Sequence, residues 1–297
     1  MFKTLILSSF FFLSLSQAHA RVDMRWFTVA AVVIEDEKTQ IMFDPMFTRA
    51  SLWHWLNLSK LKSDQALVSS VLKDHELLKL NAVFVSHSHF DHSIDAPMVA
   101  QLTGATFYVD PNTKIIAEAY KNPGIKTQAV ENLKSIQVGN FKITVMKRTH
   151  AHIRTLGINF LKGPVSKDFD FNFYDYQMGD TWFYLIEHPE GKILLDQGSE
   201  PFSTTVQNFT EKVDVVIQGV ANRPSDEATS EGYVKQFSPK TFIPTHFDNF
   251  IFSFDPKGSF SYLPGVRLDD VVARLKKDHP DKKIIVPEYG KRIQLFP

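Results

Sequence analysis

The chain contains the stretch Val83-Phe84-Val85-Ser86-His87-Ser88-His89-Phe90-Asp91-His92, in which apolar residues lead directly into three histidines and an aspartate. Its first part has the composition of a short buried strand, predicted over residues 82–86. In extended backbone, side chains two residues apart point to the same side, so His87 and His89 can hold one cation. Asp91 and His92 follow where the chain turns, and they can hold a second cation close by.

The ligand types in this stretch indicate which metals it can bind. Imidazole and carboxylate groups suit zinc, and they also suit iron or manganese. A lone histidine at the end of a strand is usually an ordinary surface residue, whereas three histidines and an aspartate within six residues form a specific pattern. We therefore expect a site for one or two ions, with zinc as the first choice.

The overall composition excludes several classes of partner. The chain has 297 residues, 43% of them hydrophobic, which is enough for one large α/β domain or two small ones. Its 33 Lys and Arg balance its 33 Asp and Glu, which argues against nucleic acid or an anionic membrane surface as a partner. The absence of cysteine excludes disulfides and a lipid-modified cysteine.

The N-terminal residues have the features of a secretory signal peptide over residues 1–20. Lys3 precedes an apolar run from Leu5 to Leu15, and Ala18-His19-Ala20 fits a small-x-small cleavage site. The run is shorter than the ~20 residues that span a bilayer, so no stable membrane anchor is expected. A buried N-terminal helix is the alternative, which the order of these features disfavours. We predict a periplasmic or secreted protein with one domain over residues 21–297.

Strand and helix patterns alternate in both halves of the chain, which predicts an α/β sandwich with its sheets inside and its helices outside. A hairpin is predicted over residues 24–44, with one strand over Phe27–Ile34. Helices are predicted over residues 64–80, with Asp64 as the N-cap, and near residues 226–237. Further predicted strands include residues 141–147, 182–187, 192–196, 213–218 and 241–245.

Two aromatic segments have more than one interpretation. Trp53 and Trp55 could line an apolar pocket, although ordinary packing in the core is favoured. Residues 162–179 interleave aromatic and acidic side chains, and they could form an active-site flap or an irregular surface loop.

The stretch His87-Ser88-His89-Phe90-Asp91-His92 resembles the signature of the metallo-β-lactamase superfamily, and the resemblance extends from about Arg25 to Phe296. It implies a four-layer αββα sandwich with a one- or two-metal site at one edge of the sheets. The segment His246-Phe247-Asp248-Asn249-Phe250 resembles the ascorbate-phosphate lactonase branch and its phospholipase D-like relatives.

The resemblance also implies roles for residues distant in the sequence. Asp44 matches an early aspartate that supports the site without binding metal. His150, at the end of a strand, matches the third histidine of the first metal, with His152 as the alternative. His246 matches the last histidine, which joins the second metal.

One position departs from the family pattern. A bridging aspartate usually follows a strand in a Gly-Asp pair, but here that strand leads to Asp196-Gln197-Gly198-Ser199. Alignment of the glycine places Ser199 at the bridging position, and Asp196 lies three residues early. Gly179-Asp180 precedes a strand instead of ending one, so we set it aside.

The expected function is metal-dependent hydrolysis of an ester, lactone or phosphodiester, with a small-molecule or lipid-like substrate. Asp91 would orient the attacking water and carry its proton, and His246 would stabilise the developing charge. Asp248 is a weaker candidate for proton delivery than for a hydrogen bond within its loop. Hydrolysis of β-lactams is not expected, because the chain lacks cysteine and has Ser93 where one group has histidine.

Two alternatives stay open at this point. The first is an oxidoreductase with a single iron that acts on sulfur compounds, and the second is a non-catalytic binding protein of the same fold. The remaining histidines are interpreted as structural or solvated; they include His54, His75, His188 and His279.

Overall fold

The computed structural model describes residues 20–150, 161–198, 211–251 and 261–297. The proposed signal peptide and its cleavage site lie almost wholly outside these residues, as do His152 and Ser199. Within the described ranges, no helix combines the length and the apolar character needed to cross a bilayer.

Segments between residues 23 and 129, together with one strand near the C-terminal end, form a mixed sheet. Its strands are β1 Asp23–Thr28, β2 Ala31–Glu35, β3 Gln40–Phe43, β4 Ala82–Phe84, β5 Thr106–Val109, β6 Thr127–Ala129 and β14 Arg292–Gln294. Adjacent strands are antiparallel from β14 to β3 and parallel from β3 to β6, in the order β14-β1-β2-β3-β4-β5-β6.

Segments between residues 135 and 284 form a second seven-stranded sheet. Its strands are β7 Ser135–Val138, β8 Phe141–Arg148, β9 Thr181–His188, β10 Gly191–Asp196, β11 Val215–Gly219, β12 Thr241–Thr245 and β13 Lys283–Ile284. Adjacent strands are antiparallel from β7 to β10 and parallel from β10 to β13, in the order β13-β12-β11-β10-β9-β8-β7.

Helices connect the parallel strands and cover the outer faces. A 3₁₀ turn spans Phe173–Asp175, and a π-helix over Ser230–Lys235 continues α6. The α-helices are α1 Leu52–Trp55, α2 Gln65–Asp74, α3 Phe90–Ser93, α4 Ala96–Thr103, α5 Pro111–Ala119, α6 Asp226–Thr229 and α7 Leu268–Asp278.

The core confirms the predicted αββα sandwich. Phe43 and Phe84 of the first sheet pack against Tyr184 of the second, with ring centroids 5.1 and 5.6 Å apart. A second apolar cluster lies between the outer face of the first sheet and α2 and α4. Helix α7 buries Leu268, Val271 and Leu275 in the cluster that contains the second sheet.

Three predicted elements differ in the structure. The single strand expected over Phe27–Ile34 is wrong, because the chain turns at Val29, whose φ is 49°, and continues as β2. The helix expected over residues 226–237 begins as α6 and becomes a π-helix. The helix predicted over residues 64–80 ends at Asp74, although Asp64 accepts a hydrogen bond from the Leu67 N–H as its N-cap.

Residues 162–179 form a mostly irregular surface segment whose aromatic side chains largely pack inward, while residues between them, such as Asp168 and Asp170, stay exposed. Phe169, Phe171, Phe173 and Tyr176 are buried in an apolar cluster that also contains Phe90. The two tryptophans differ: Trp55 stacks on Phe173, whereas Trp53 is 62% exposed, so the core packing favoured for Trp53 is wrong.

Candidate metal centre

The turn after β4 places the histidine-rich stretch at the edge where the two sheets meet. The Asp44 N–H donates to the Phe84 carbonyl, and the Asp44 carboxylate accepts from the Ser86 N–H. From the second sheet, the Trp182 N–H donates to the Ser86 carbonyl and the Tyr184 hydroxyl to the Val85 carbonyl. Backbone of both sheets therefore fixes this turn from two sides.

The first ligand group consists of His87, His89 and His150. One ring nitrogen of each lies within 4.8 Å of the others. His87 Nε2 and His89 Nδ1 are 3.0 Å apart, and His89 Nε2 donates to the Leu161 carbonyl over 3.2 Å. That hydrogen bond assigns the proton of a neutral His89 ring to Nε2 and leaves Nδ1 as an electron-pair donor.

The second group consists of Asp91, His92 and His246, with the same 4.8 Å spread. Asp91 Oδ2 lies 3.3 Å from His246 Nε2 and 3.7 Å from His92 Nε2. His92 Nδ1 lies 3.1 Å from Asp44 Oδ2, so the Asp44 carboxylate orients this ring from behind.

The backbone at His246 is held by the first hairpin of the chain. His246 has a φ of 54°, and its N–H donates to the Val29 carbonyl. The Val29 N–H in turn donates to Asp248 Oδ1 over 2.7 Å. Asp248 thus joins two loops by a buried hydrogen bond, whereas the sequence favoured a hydrogen bond within its own loop.

Burial and neighbouring charges set the protonation of the two groups differently. Burial lowers the pKa of His89 to about 4, and burial together with His92 and His150 lowers the pKa of His87 well below its usual range. For His92, the charges of Asp91 and Asp44 outweigh burial and raise the pKa. The pKa of Asp91 is lowered, because nearby His92 and His246 outweigh the opposing effect of burial.

The structure brings together all six side chains that the sequence analysis singled out: His87, His89, Asp91, His92, His150 and His246. The two candidates for the bridging position do not join them among the described residues. Asp196 forms a buried ion pair with Arg148, and Ser199 lies outside the described residues. Asp180 pairs with Lys147 Nζ at the partly exposed start of β9.

The other histidines have local partners. His54 Nδ1 accepts from the Ser51 N–H at the start of α1, and the ring of His75 packs edge-on against Phe27. The ring of His188 packs on Phe141, and His279 Nε2 lies 2.8 Å from the Ser230 hydroxyl. These contacts agree with the structural interpretation.

Sequence reasoning missed two buried charges beside the site. Asp95 accepts from the N–H groups of Phe47 and Thr48 and from the hydroxyls of Thr48 and Ser63. The guanidinium of Arg49 lies 3.8 Å from the Asp248 carboxylate, and burial lowers the pKa of Arg49. Asp95 follows His92 by only three residues, and this closeness to the histidine-rich stretch could have marked it as a residue that supports the site.

Comparison with known proteins agrees with this geometry. The family model described as a beta-lactamase superfamily domain matches residues 39–247. A UPF0173 metal-dependent hydrolase of Anaeromyxobacter dehalogenans is 25% identical over 244 residues, which cover 78% of this chain and 77% of that protein.

Solved structures share the fold at lower identity. Igni18, a metallo hydrolase from Ignicoccus hospitalis, has a TM-score of 0.56 at 17% identity and covers 92% of this chain and 97% of its own. CmlA, a diiron beta-hydroxylase from Streptomyces venezuelae, has a TM-score of 0.54 at 12% identity and covers 94% of this chain and 55% of its own. The family match spans more than half of the chain. The chain therefore belongs to the beta-lactamase superfamily.

Proposed function

We propose that this chain is a metal-dependent hydrolase that uses one or two zinc ions to cleave an ester, lactone or phosphodiester. The observation that carries the proposal is the convergence of five histidines and an aspartate into two adjacent groups at one sheet edge. The relative from Anaeromyxobacter dehalogenans is named a metal-dependent hydrolase, and Igni18 is named a metallo hydrolase. Both names support a metal-dependent hydrolase.

The residues of the first group fit a cation. The depressed pKa values of His87 and His89 keep both rings neutral, which is the form that binds metal. Their facing nitrogens are 3.0 Å apart, close to the roughly 3.3 Å expected between ligands of a tetrahedral zinc. The hydrogen bond of His89 to the Leu161 carbonyl and the approach of Asp44 Oδ2 to within 3.1 Å of His92 Nδ1 are the outer contacts that metal-binding histidines usually make.

A bound zinc ion would supply an activated water at neutral pH and would polarise the oxygen of the scissile group. Asp91 Oδ2 lies between the rings of His92 and His246, where it can accept a proton from the attacking water. His246 Nε2 faces the same carboxylate and can stabilise negative charge that develops on the substrate.

An aromatic series supports an apolar or acyl-bearing substrate. Five rings contact one another in sequence, with centroid distances of 5.5 Å for His246–Phe250, 5.9 Å for Phe250–Phe90, 4.9 Å for Phe90–Phe173 and 4.7 Å for Phe173–Trp55. Beside Trp55, α1 and the residues after it leave large apolar side chains exposed: Leu52, Trp53, Leu56 and Leu58. Exposed apolar surface of this kind favours lipid-like ligands over strongly charged ones.

An iron oxidoreductase is the second candidate. It is favoured by the pairing of Asp196 with Arg148, because that pairing keeps one of the two candidates for the bridging position away from a pair of zinc ions. The likeness to a diiron beta-hydroxylase shows that the fold accommodates iron in that protein.

Metal analysis of the purified protein tests the proposal. We expect zinc at one to two ions per chain, with hydrolysis of generic ester, lactone or phosphodiester substrates that is lost on chelation and restored by zinc. Iron accompanied by oxygen uptake would replace the hydrolase proposal with the oxidoreductase.

The proposal includes export of the mature protein. The positive, apolar and small-residue segments of residues 1–20 support cleavage near Arg21. Cell fractionation and mass spectrometry of the purified chain test this, since an intact N-terminus in the cytosol would contradict it. The balanced charge supports an interaction with small molecules and not with nucleic acid.

A further inference from the structure

Three buried polar side chains contact one another where β8 and β10 end: Arg148, Asp196 and Tyr233. Arg148 pairs with Asp196, and neither side chain is exposed to solvent. The Tyr233 hydroxyl donates to Asp196 Oδ2 over 2.6 Å and accepts from Arg148 Nη1 over 3.1 Å. The other carboxylate oxygen of Asp196 accepts from the Gly198 N–H over 3.0 Å.

The network lies directly behind a ligand of the first group. Arg148 is the last residue of β8, two residues before His150, and its Nε donates to the Thr149 carbonyl over 2.8 Å. Gly198 packs against the guanidinium, because a Cβ at this glycine would lie 3.2 Å from Arg148 Nε. The backbone that leads to His150 is therefore clamped by charges from another strand.

The third member comes from an unusual helix. Tyr233 lies in the π-helix Ser230–Lys235, and π-helical turns occur frequently at functional sites. The wider turn accompanies a fully buried Tyr233 whose hydroxyl reaches the ion pair.

Stability alone is a weak reason for such a network. A buried ion pair loses hydration on both partners, and well-packed apolar residues are often as stable in its place. Removal of one partner leaves a buried charge without compensation, so the network holds its members in one arrangement. Arg148 also neutralises the carboxylate that lies three residues before the bridging position of the family pattern.

We infer that Arg148, Asp196 and Tyr233 are positioning residues that hold His150 in the first ligand group, and that Asp196 is not itself a metal ligand. This inference rests on the proposed function, because it assigns a role to residues around the same cation. It predicts that the two ligand groups fill without a carboxylate from the end of β10.

Single and double variants of the ion pair test this role. We expect Arg148→Gln and Asp196→Asn each to lower the melting temperature, and the double variant to recover at least half of the loss, since no charge is then left unpaired. Asp196→Asn and the double variant should both keep the unaltered number of metal ions per chain.

Cobalt(II) affinity is a measurement that would not change if these three residues only stabilised the fold. We expect Tyr233→Phe and Asp196→Asn to weaken cobalt binding at the three-histidine group by about 10-fold and to shift its visible spectrum. Arg25→Gln is the matched control, because Arg25 forms another buried ion pair, with Glu35 on β1 and β2. This control should lower the melting temperature without changing cobalt affinity.

Two results would overturn the inference. Loss of one metal ion per chain in both Asp196→Asn and the double variant would make Asp196 a ligand. Unchanged cobalt affinity in Tyr233→Phe and Asp196→Asn would remove the positioning role. If the unaltered protein binds no transition metal, the proposed function fails as well; if it binds metal and the ion-pair variants show no coupling, only this inference fails.

Discussion

His89 makes the most direct link between backbone and chemistry, because one ring nitrogen is fixed by the Leu161 carbonyl and the other faces His87. We expect His89→Ala to lose cation binding at the first group and to lower kcat/KM by at least about 100-fold, since several kcal/mol of transition-state stabilisation depend on the metal. Metal content and hydrolysis rates of the same preparations measure both effects.

The control for this prediction is His54→Ala. His54 lies on α1, where its Nδ1 accepts from the Ser51 N–H, and it belongs to neither ligand group, so its loss should leave the metal content unchanged. Equal loss of metal in both variants would indicate general disruption and not the removal of a ligand.

The depressed pKa values of His87 and His89 predict that the metal-free protein loses stability as pH falls from 6.5 to 4.5. In the folded protein, burial lowers the pKa of His89 to about 4, whereas histidines of the unfolded chain bind protons below about pH 6.5. The unfolded state then binds more protons, and the free energy of unfolding falls by about 1 kcal/mol per pH unit for each histidine.

His92 does not cancel this effect in the same window. Its raised pKa contributes stability that is fully present below about pH 6.5 and is lost as pH rises. Urea unfolding of chelator-treated protein at pH 4.5, 5.5 and 6.5 measures how steeply the free energy of unfolding depends on pH. His89→Asn should reduce that slope by the contribution of one histidine, about 1 kcal/mol per pH unit. An unchanged slope in that variant would contradict the assignment.

At the scale of elements, Asp95 joins the start of α4 to the loop after β3 and to the residues before α2. It accepts four hydrogen bonds, from two backbone N–H groups and two hydroxyls. We expect Asp95→Asn to lower the free energy of unfolding by about 3 kcal/mol. The NH2 group of asparagine would replace one of the two accepting oxygens and would face groups that donate. Urea unfolding measures this loss.

A matched change at Asp64 separates this network from capping in general. Asp64 accepts one hydrogen bond, from the Leu67 N–H at the start of α2, and asparagine can make the same bond. Asp64→Asn should therefore change the free energy of unfolding by less than about 1 kcal/mol. A similar loss in both variants would remove the special role of Asp95.

Elements whose signal is local were predictable from the sequence. The strand predicted over residues 241–245 has those bounds in the structure, because Phe242 and Ile243 are buried between parallel neighbours. The break at Val29 was not predictable, since the groups that hold it belong to His246 and Asp248. Strands β6 and β14 escaped prediction because their largely exposed residues lack apolar alternation.

The same distinction holds for the candidate site. The grouping of His87 with His89 follows from two-residue alternation, and a family pattern was needed to suggest His150 and His246. The pairing of Asp196 with Arg148 could not be inferred, because it depends on how the ends of β8 and β10 meet.

At the scale of the whole molecule, a cation bound between the two halves of the sandwich should raise stability by mass action. A free cation concentration about a thousandfold above the dissociation constant stabilises the folded state by about 4 kcal/mol. We therefore expect chelation to lower the melting temperature by about 10 °C. Calorimetry before and after chelation measures the shift.

The sheets themselves should survive this treatment. The central cluster is built from apolar side chains of both sheets and contains no candidate ligand, so the far-ultraviolet circular dichroism at 25 °C should not change. A melting temperature that stays constant while the metal is removed would show that the ion contributes nothing to folding.

The bond between the Val29 turn and the 246–248 loop joins residues 219 positions apart for Val29 and Asp248. A chain that is still emerging from the ribosome or from a translocation pore cannot form this bond until residue 248 has appeared. His246 reaches its partners only after that moment. The second ligand group is thus completed only late in folding, and any cation that binds there must be acquired in the compartment where folding ends.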